Sequence, residues 1–307
     1  MKDLIIPNYP NSAPITLDMQ EDLDSILSKN PDGLSEFSFL NMYLFKDTYN
    51  YSVSLCNGEL IILGSYHDEP FFACPVAIPP SDVVQSFLKD GMKWALISES
   101  FYKEHYDSIL NELKDSRLNV EEDRDNFDYL YLTESLAKLE GKDLHKKKTH
   151  INKFEKSYTN IKIEELTKYN AKDALKILEE WKKSAEEHKT DTDYNEALTA
   201  LSLLKDARID IKGIVLYVED VPVAWTLAEL IKDTALVLFE KALPQYKGGF
   251  QYVNYAFAGF LDTDILYINR EQDLGDAGLR QAKMTYRPIR FIKKYKVQRK
   301  VCQESTD

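Results

Sequence analysis

Three strand patterns that follow one another closely in the second half of the chain constrain its fold most. Each is rich in β-branched and aromatic residues, and short polar turns separate them, as antiparallel strands require. They cover Ile214 to Glu219, Val223 to Ile231 and Thr234 to Lys241. A glycine-bearing loop, Leu243 to Gly249, then leads to a helical pattern from Phe250 to about Leu261. This order predicts an antiparallel sheet that packs against helices.

More elements flank this block. A strand pattern and two helical patterns precede it, over Ile161 to Leu166, Ala171 to Ala185 and Tyr194 to about Ala207. A strand, a helix and a short apolar strand follow it, over Ile265 to Asn269, after Gly278 and at Phe291 to Ile292. The complete order resembles the GNAT acyltransferase fold, a mixed and mostly antiparallel sheet flanked by helices.

The first half of the chain shows a similar order with little likeness in sequence. Its helical patterns are Met19 to Leu27, Phe37 to Phe45, Ser81 to Leu88 and Tyr102 to Leu113, and its strand patterns are Tyr51 to Cys56, Glu59 to Tyr66, Phe71 to Cys74, Trp94 to Ile97 and segments near Val120 and Tyr129. We therefore predict an α/β (α+β) fold of tandem GNAT-like acyltransferase domains. Residues 1–135 form a degenerate N-terminal domain, 136–156 a basic connecting helix, and 157–307 the C-terminal domain that carries the site.

Glycine and proline predict which copy holds a ligand. After its third strand the first copy reads Pro75 to Ser81, without glycine, and prolines offer no N–H to an anion. The second copy reads Gln245-Tyr246-Lys247-Gly248-Gly249-Phe250 at that place. GNAT enzymes that use acyl-CoA hold its pyrophosphate on a Gln/Arg-x-x-Gly-x-Gly/Ala loop, which this segment matches except at Phe250. We predict that Gln245, Lys247, Gly248 and Gly249 bind a donor; a plain tight turn is the alternative.

Composition indicates a globular protein, with 44% hydrophobic and 29% charged residues. No apolar run approaches the roughly 18 residues that span a bilayer, and the start, Met1 to Pro7, is no signal peptide. We expect a cytoplasmic protein without stable membrane insertion. Cys56, Cys74 and Cys302 form no C-x-x-C pair, which fits packing roles in a reducing compartment.

Two basic segments stand out against the net charge of −12. Lys142 to Lys156 contains six lysines and two histidines against two acids, and Gly278 to Lys300 contains no acid at all. Such density on an acidic chain favours a confined phosphate site. Solvated helix faces that balance acidic neighbours are the alternative.

A polar run follows the strand that ends at Asn269. Asn269, Arg270, Glu271, Gln272 and Asp273 are consecutive, and Gly275 comes soon after. Because ligands of open α/β sheets bind beyond the carboxyl ends of strands, this run predicts a site. A solvated loop between a strand and a helix is the alternative.

Several motifs together resemble one family. They are Leu144 to Lys148, His150 to Phe154, Phe239 to Ala242, Ile268 to Gly275 and Gly278 to Lys283. They resemble the soluble branch of the phosphatidylglycerol lysyltransferase C-terminal domain family, which is itself similar to Fem-type peptidyltransferases that use aminoacyl-tRNA. The resemblance covers most of the chain from about Tyr129 onward. It implies a tandem GNAT fold and an acyl- or aminoacyltransferase ancestry.

Aminoacyl transfer to an amine needs a base, donors for the oxyanion, and groups that position two substrates. The predicted catalytic residues are Glu240, Asp273 and Tyr267, and Tyr255 is a further candidate acid. The predicted substrate- or donor-binding residues beyond the glycine loop are Lys241, Asn269, Arg270, Glu271, Gln272, Lys146, Lys147 and Lys148. For Glu240 the alternative is a buried ion pair, with Arg270 or a neighbour of Lys241, that only neutralises the carboxylate.

Other chemistries lack their motifs. The five histidines show no H-E-x-x-H spacing, so no metal site is predicted, and there is neither a G-x-S-x-G elbow nor a Walker A loop. We predict a GNAT-superfamily transferase that moves an aminoacyl or acyl group to a primary amine of a small molecule or peptide. Aminoacyl-tRNA, bound by its acceptor stem, and acyl-CoA are the alternative donors. A non-catalytic small-ligand-binding protein on a GNAT scaffold is the remaining alternative.

Overall fold

The computed structural model describes residues 5–112, 118–187, 193–205 and 209–299. The chain divides into two compact units, one formed by residues up to 127 together with those from 292 onward, the other by residues 128–291. Within the described residues each unit contains a mixed sheet of seven strands.

The first unit packs short helices against its sheet. Its first six strands are β1 (Ala13–Pro14), β2 (Ser52–Cys56), β3 (Glu59–Tyr66), β4 (Glu69–Ala73), β5 (Lys93–Ser98) and β6 (Leu118–Glu122), and its helices are α1 (Gln20–Leu27), α2 (Phe39–Leu44), α3 (Ser81–Lys89), α4 (Glu99–Glu104) and α5 (Tyr106–Glu112). β4 and β5 are parallel, and the other paired strands are antiparallel. Phe72 and Trp94, fully buried on this parallel pair, stack at 5.5 Å in the core.

The second unit repeats this plan with longer elements. Its strands are β7 (Asp128–Leu132), β8 (Ile161–Glu165), β9 (Ile211–Val218), β10 (Val221–Ile231), β11 (Thr234–Ala242), β12 (Tyr267–Asn269) and β13 (Arg290–Ile292), and its helices are α6 (Thr133–Lys138), α7 (His145–Ser157), α8 (Ala171–Glu187), α9 (Tyr194–Leu203), α10 (Gly249–Phe260) and α11 (Ala277–Met284). The strands lie in the order β13-β7-β12-β11-β10-β9-β8. The predicted fold class, tandem GNAT-like domains with mostly antiparallel sheets flanked by helices, is confirmed.

Two strands were missed by the sequence patterns, the two-residue β1 and β14. β14 (Lys294–Arg299) lies between β5 and β6 in the first sheet and pairs with both. The hydrophobic residues of β14 alternate with basic residues. One of these basic residues, Lys294, is fully buried and donates a hydrogen bond to Glu36. Periodicity of hydrophobic residues alone does not detect such a strand.

Two helices differ from the patterns. The predicted connecting helix 136–156 is interrupted, because Leu139 and Gly141 adopt positive φ angles of 51° and 85° between α6 and α7. The pattern from Tyr102 to Leu113 gives two helices, α4 and α5, and Leu113 lies outside the described residues, as do Ala207 and Lys300. The division into a degenerate copy, a connector and a site-bearing copy stays a prediction.

The parallel strands of the second unit stay paired for only three residues. Thr234 to Leu236 of β11 face Tyr267 to Asn269 of β12. β12 then ends, whereas β11 continues to Ala242. Side chains from β11 beyond Leu236 therefore meet residues that follow β12, and the candidate site is built at this place.

Candidate functional site

Glu240 lies on β11 beyond its pairing with β12, and its side chain is 5% exposed. Its Oε1 accepts a hydrogen bond from Arg270 Nη2 at 3.0 Å, and its Oε2 accepts one from Asn254 Nδ2 at 3.2 Å. Arg270 follows β12 directly, and Asn254 belongs to α10. Two strands and a helix thus bring a carboxylate, a guanidinium and an amide together.

Burial raises the pKa of Glu240, and the charge of Arg270 and the Asn254 hydrogen bond oppose this effect without cancelling it. A carboxylate with a raised pKa accepts a proton more readily near neutral pH than an exposed one. Glu240 is therefore suited to act as a base and is also the partner of a buried cation.

Tyr286, just after α11, lies close to two cations. Arg270 Cζ is 5.2 Å from the centroid of its ring, and Lys147 Nζ from α7 is 4.0 Å from it. Burial, followed by the charge of Arg270, lowers the pKa of Lys147. Lys148 Nζ lies 4.8 Å from the Tyr255 ring, whereas Lys146 is exposed. The structure thus separates the three predicted lysines of α7: Lys147 lies near Arg270, Lys148 lies against Tyr255 of α10, and Lys146 is exposed to solvent.

Asp273 is fully buried, and both of its oxygens are engaged. Arg280 donates Nε to Oδ2 at 3.0 Å and Nη2 to Oδ1 at 2.7 Å, Tyr129 donates its hydroxyl to Oδ2 at 2.5 Å, and Gly275 donates its N–H to Oδ1 at 3.0 Å. Burial acts to raise the pKa of Asp273, but these hydrogen bonds outweigh it and hold that pKa well below its usual range. A carboxylate of this kind orders a loop and is a poor proton acceptor.

The rest of the polar run is ordered by its own contacts. Asn269, 1% exposed, donates Nδ2 to Asp128 Oδ2 at 3.3 Å and accepts the N–H of Glu271 at 2.8 Å. The buried Lys283 of α11 donates to the carbonyl of Arg270 at 2.6 Å and to the carbonyl of Gln272. Burial, with a contribution from Arg270, lowers the pKa of Lys283 to about 8. These bonds fix the backbone from which the Arg270 side chain extends.

Two predicted site residues lie away from Glu240. Lys241 contacts Asp193 Oδ1 at 2.5 Å and lies 3.8 Å from the Trp181 ring, and successive residues of a strand point to opposite faces. Tyr267 pairs with Thr234, six residues before Glu240 on β11, which corresponds to about 20 Å of strand. The structure therefore brings neither side chain to the carboxylate.

The glycine loop caps α10. Gly248 has φ +92° and precedes the first residue of the helix, as a left-handed turn requires. A Cβ placed at Gly248 would lie 3.5 Å from Phe154 of α7, so α7 backs the loop. Lys247 is exposed, Phe250 is 42% exposed, and Gln245 donates to Glu180 at 3.5 Å. The loop thus presents one glycine turn and a lysine to solvent.

Asn254 and Tyr286 were missed by the sequence patterns. Asn254 is a lone buried amide in the apolar helix α10, which is a usable signal for a functional polar residue. Tyr286 follows a basic helix and has no such signal. Cys56 and Cys74 are buried free thiols, as expected, and Cys302 lies outside the described residues.

Within the described ranges no group of three or more His, Cys, Asp or Glu side chains is arranged to hold a metal ion. No helix in the same ranges has both the length and the apolar composition that a membrane crossing requires.

The family model for the C-terminal region of phosphatidylglycerol lysyltransferase matches residues 30–298. The chain belongs to this family. Membership supports an acyl- or aminoacyltransferase in general. "Uncharacterized protein MYCGA3080" of Mycoplasmoides gallisepticum is 26% identical over 174 residues, which is 55% of this chain and 55% of that relative. The aligned part thus spans about half of the relative's length.

Solved structures of other proteins share the fold of this chain. A conserved protein of unknown function from Bacteroides thetaiotaomicron is 25% identical with a TM-score of 0.79, over 94% of this chain and 99% of the other. L-PGS from Bacillus licheniformis is 14% identical with a TM-score of 0.60, over 96% and 94%. FemX is 8% identical with a TM-score of 0.56, over 94% and 97%.

Proposed function

We propose that this chain moves an aminoacyl or acyl group from an activated donor to a primary amine, with Glu240 as the base. The observation that carries the proposal is the buried Glu240 carboxylate with its raised pKa. It lies beside Arg270 and Asn254, on the part of β11 that extends past the end of β12. A carboxylate in an apolar setting next to hydrogen-bond donors is a common arrangement for proton transfer.

The proposed reaction has two bond changes. Glu240 takes a proton from the acceptor's ammonium group, and the freed amine forms a C–N bond with the donor's carbonyl carbon. The oxyanion that develops is stabilised by the positive potential of the site. Collapse of the intermediate breaks the ester C–O or thioester C–S bond, and the leaving oxygen or sulfur takes the second proton of the attacking nitrogen.

Charge on α7 supports a polyanionic donor such as the acceptor stem of aminoacyl-tRNA. Lys146, His150 and Lys153 are exposed at helical spacing, and the exposed Lys247 lies in the loop that α7 backs. The likeness to FemX and L-PGS agrees with an aminoacyl donor, and a lipid or peptide amine is a suitable acceptor class. We place the reaction in the cytoplasm, where such donors occur.

Acyl-CoA is the second candidate donor. Gly248, with φ +92°, begins α10 in the way that helix starts bind phosphate groups. A non-catalytic ligand-binding role is the third, and it is favoured by the ion pair that already engages Glu240.

One experiment separates these functions. The protein is incubated with charged tRNA or with an acyl-CoA pool in the presence of mixed primary amines, and products are identified by mass spectrometry. Amide products with charged tRNA alone support the aminoacyl reaction, and products with acyl-CoA alone support the second. Ligand binding without any product from either donor refutes both transfer reactions.

A further inference from the structure

The site holds more positive charge than its acid can neutralise. Glu240 forms its ion pair with Arg270 at 3.0 Å. No carboxylate in the described part of the chain forms an ion pair with Lys147, and the charge that acts on its pKa is that of Arg270. Lys147, Arg270 and Glu240 together carry a net charge of +1, and the charges of Lys283 and of Lys241, which is paired with Asp193, also act on Glu240. Lys147 and Arg270 contact the same Tyr286 ring, so like charges are held close together in a partly dry environment.

Tyr286 adds an unused hydrogen-bond donor at the same place. Tyr286 is 5% exposed, and its O–H has no acceptor among the described residues, although Arg270 lies near enough to the hydroxyl oxygen to act on it as a donor. Burial raises the pKa of Tyr286 to about 12, and Arg270 opposes this shift, so the phenol keeps its proton at neutral pH. A buried O–H without an acceptor destabilises the fold until a ligand accepts its hydrogen bond.

We infer that Lys147, Arg270 and Tyr286 form a subsite for a singly charged oxyanion of the substrate, a phosphodiester or a carboxylate. Such an anion offsets the excess positive charge, accepts a hydrogen bond from the phenol and reduces the repulsion between the two cations. A second ammonium group would add to the positive charge, and an uncharged ligand would leave it in place. The function of the subsite in transfer rests on the proposed function, but its affinity for anions does not.

The subsite is tested by titrating the ¹³C-methylated protein with dimethyl phosphate and, separately, with sodium acetate at constant ionic strength. Lysine methyl resonances are assigned by single variants. The Lys147 resonance is expected to move along a saturable curve. Isothermal titration calorimetry of the variants is expected to show that Lys147→Gln weakens binding on the order of tenfold, the usual effect of losing one charged hydrogen bond. Tyr286→Phe is expected to weaken it several-fold. Tighter binding of dimethyl phosphate identifies a phosphodiester, and tighter binding of acetate a carboxylate.

Lys146→Gln is the matched control, because Lys146 is the adjacent lysine of α7 and is exposed. Equal weakening by Lys146→Gln and Lys147→Gln overturns the inference, since it indicates attraction by the general surface charge. Unchanged affinity in both Lys147→Gln and Tyr286→Phe also overturns it. Saturable binding in a protein that transfers nothing refutes the proposed function alone, whereas transfer with an unchanged donor KM and acceptor KM in Lys147→Gln refutes the subsite alone.

Discussion

At the scale of the residue, Glu240 is both the candidate base and the partner of the buried Arg270. Glu240→Gln keeps the shape and removes the charge. We expect turnover to fall about 100-fold or more, as for loss of a general base. We expect the free energy of unfolding to change little, because the raised pKa means that burial outweighs the pairing of the ionised carboxylate with Arg270. Initial rates and urea denaturation measure the two effects.

The double variant Glu240→Gln/Arg270→Met is the control for this change, because it removes both charges. It should keep the fold and regain none of the lost activity. A stable Glu240→Gln protein with unchanged turnover would eliminate the base assignment.

The raised pKa of Glu240 also predicts a pH dependence. Protonated Glu240 is favoured more in the folded state than in the unfolded chain. Its contribution to the free energy of unfolding is therefore fully present below the unfolded pKa and is lost as pH rises through the folded pKa. Turnover should rise over the same range, as the base ionises. The difference in unfolding free energy between wild type and Glu240→Gln, followed against pH, should have this sign. A difference that grows in the opposite direction would contradict the assigned shift.

At the scale of the element, the loop between β12 and α11 depends on Asp273. Its depressed pKa stabilises the fold above the unfolded carboxyl pKa, and this contribution is lost as pH falls through the lower folded value. Asp273→Asn should cost on the order of 3 kcal/mol at pH 7, because Arg280 and Tyr129 lose an ionised acceptor. The cost should shrink below about pH 4. Denaturation at both pH values checks this, and an equal cost at both would refute it.

The loop before α10 offers a paired test of backbone conformation. Gly248→Ala forces φ +92° on a residue with a Cβ and should cost about 1–2 kcal/mol, although the new methyl meets only an ordinary contact with Phe154. Gly249→Ala is the matched change, since Gly249 is helical with its nearest neighbours at 3.8 Å. It should be neutral or slightly stabilising. Equal costs would show that the left-handed turn is not the reason for glycine.

The elements show why part of the site was predictable. Glu240 and Arg270 lie at strand ends, and strand periodicity located both. Their ion pair depends on how far β11 extends past the end of β12. This is a property of the tertiary structure, which local sequence patterns do not predict. Asp273 shows the same limit, because its residue type fits a base and only its four hydrogen bonds reveal a loop-ordering role.

At the scale of the whole molecule, the order of elements was predictable because each long strand and helix has its own periodicity. The position of β14 in the first sheet was not predictable, because its partner strands β5 and β6 lie far away in sequence. The same distance means that the first unit needs residues from both ends of the chain, whereas the second unit, residues 128–291, is continuous.

This difference predicts how fragments behave. A fragment of residues 128–291 contains every strand of its sheet except the last residue of β13 and should unfold cooperatively on its own. A fragment of residues 1–127 lacks β14, so β5 and β6 lose the strand between them and expose unpaired edges, which favours aggregation. Circular dichroism, urea denaturation and size-exclusion chromatography distinguish the two.

The matched control joins residues 292–307 to residue 127 through a glycine-serine linker and should restore a cooperative monomer. A monomeric, cooperatively unfolding 1–127 fragment would show that the first unit does not depend on β14.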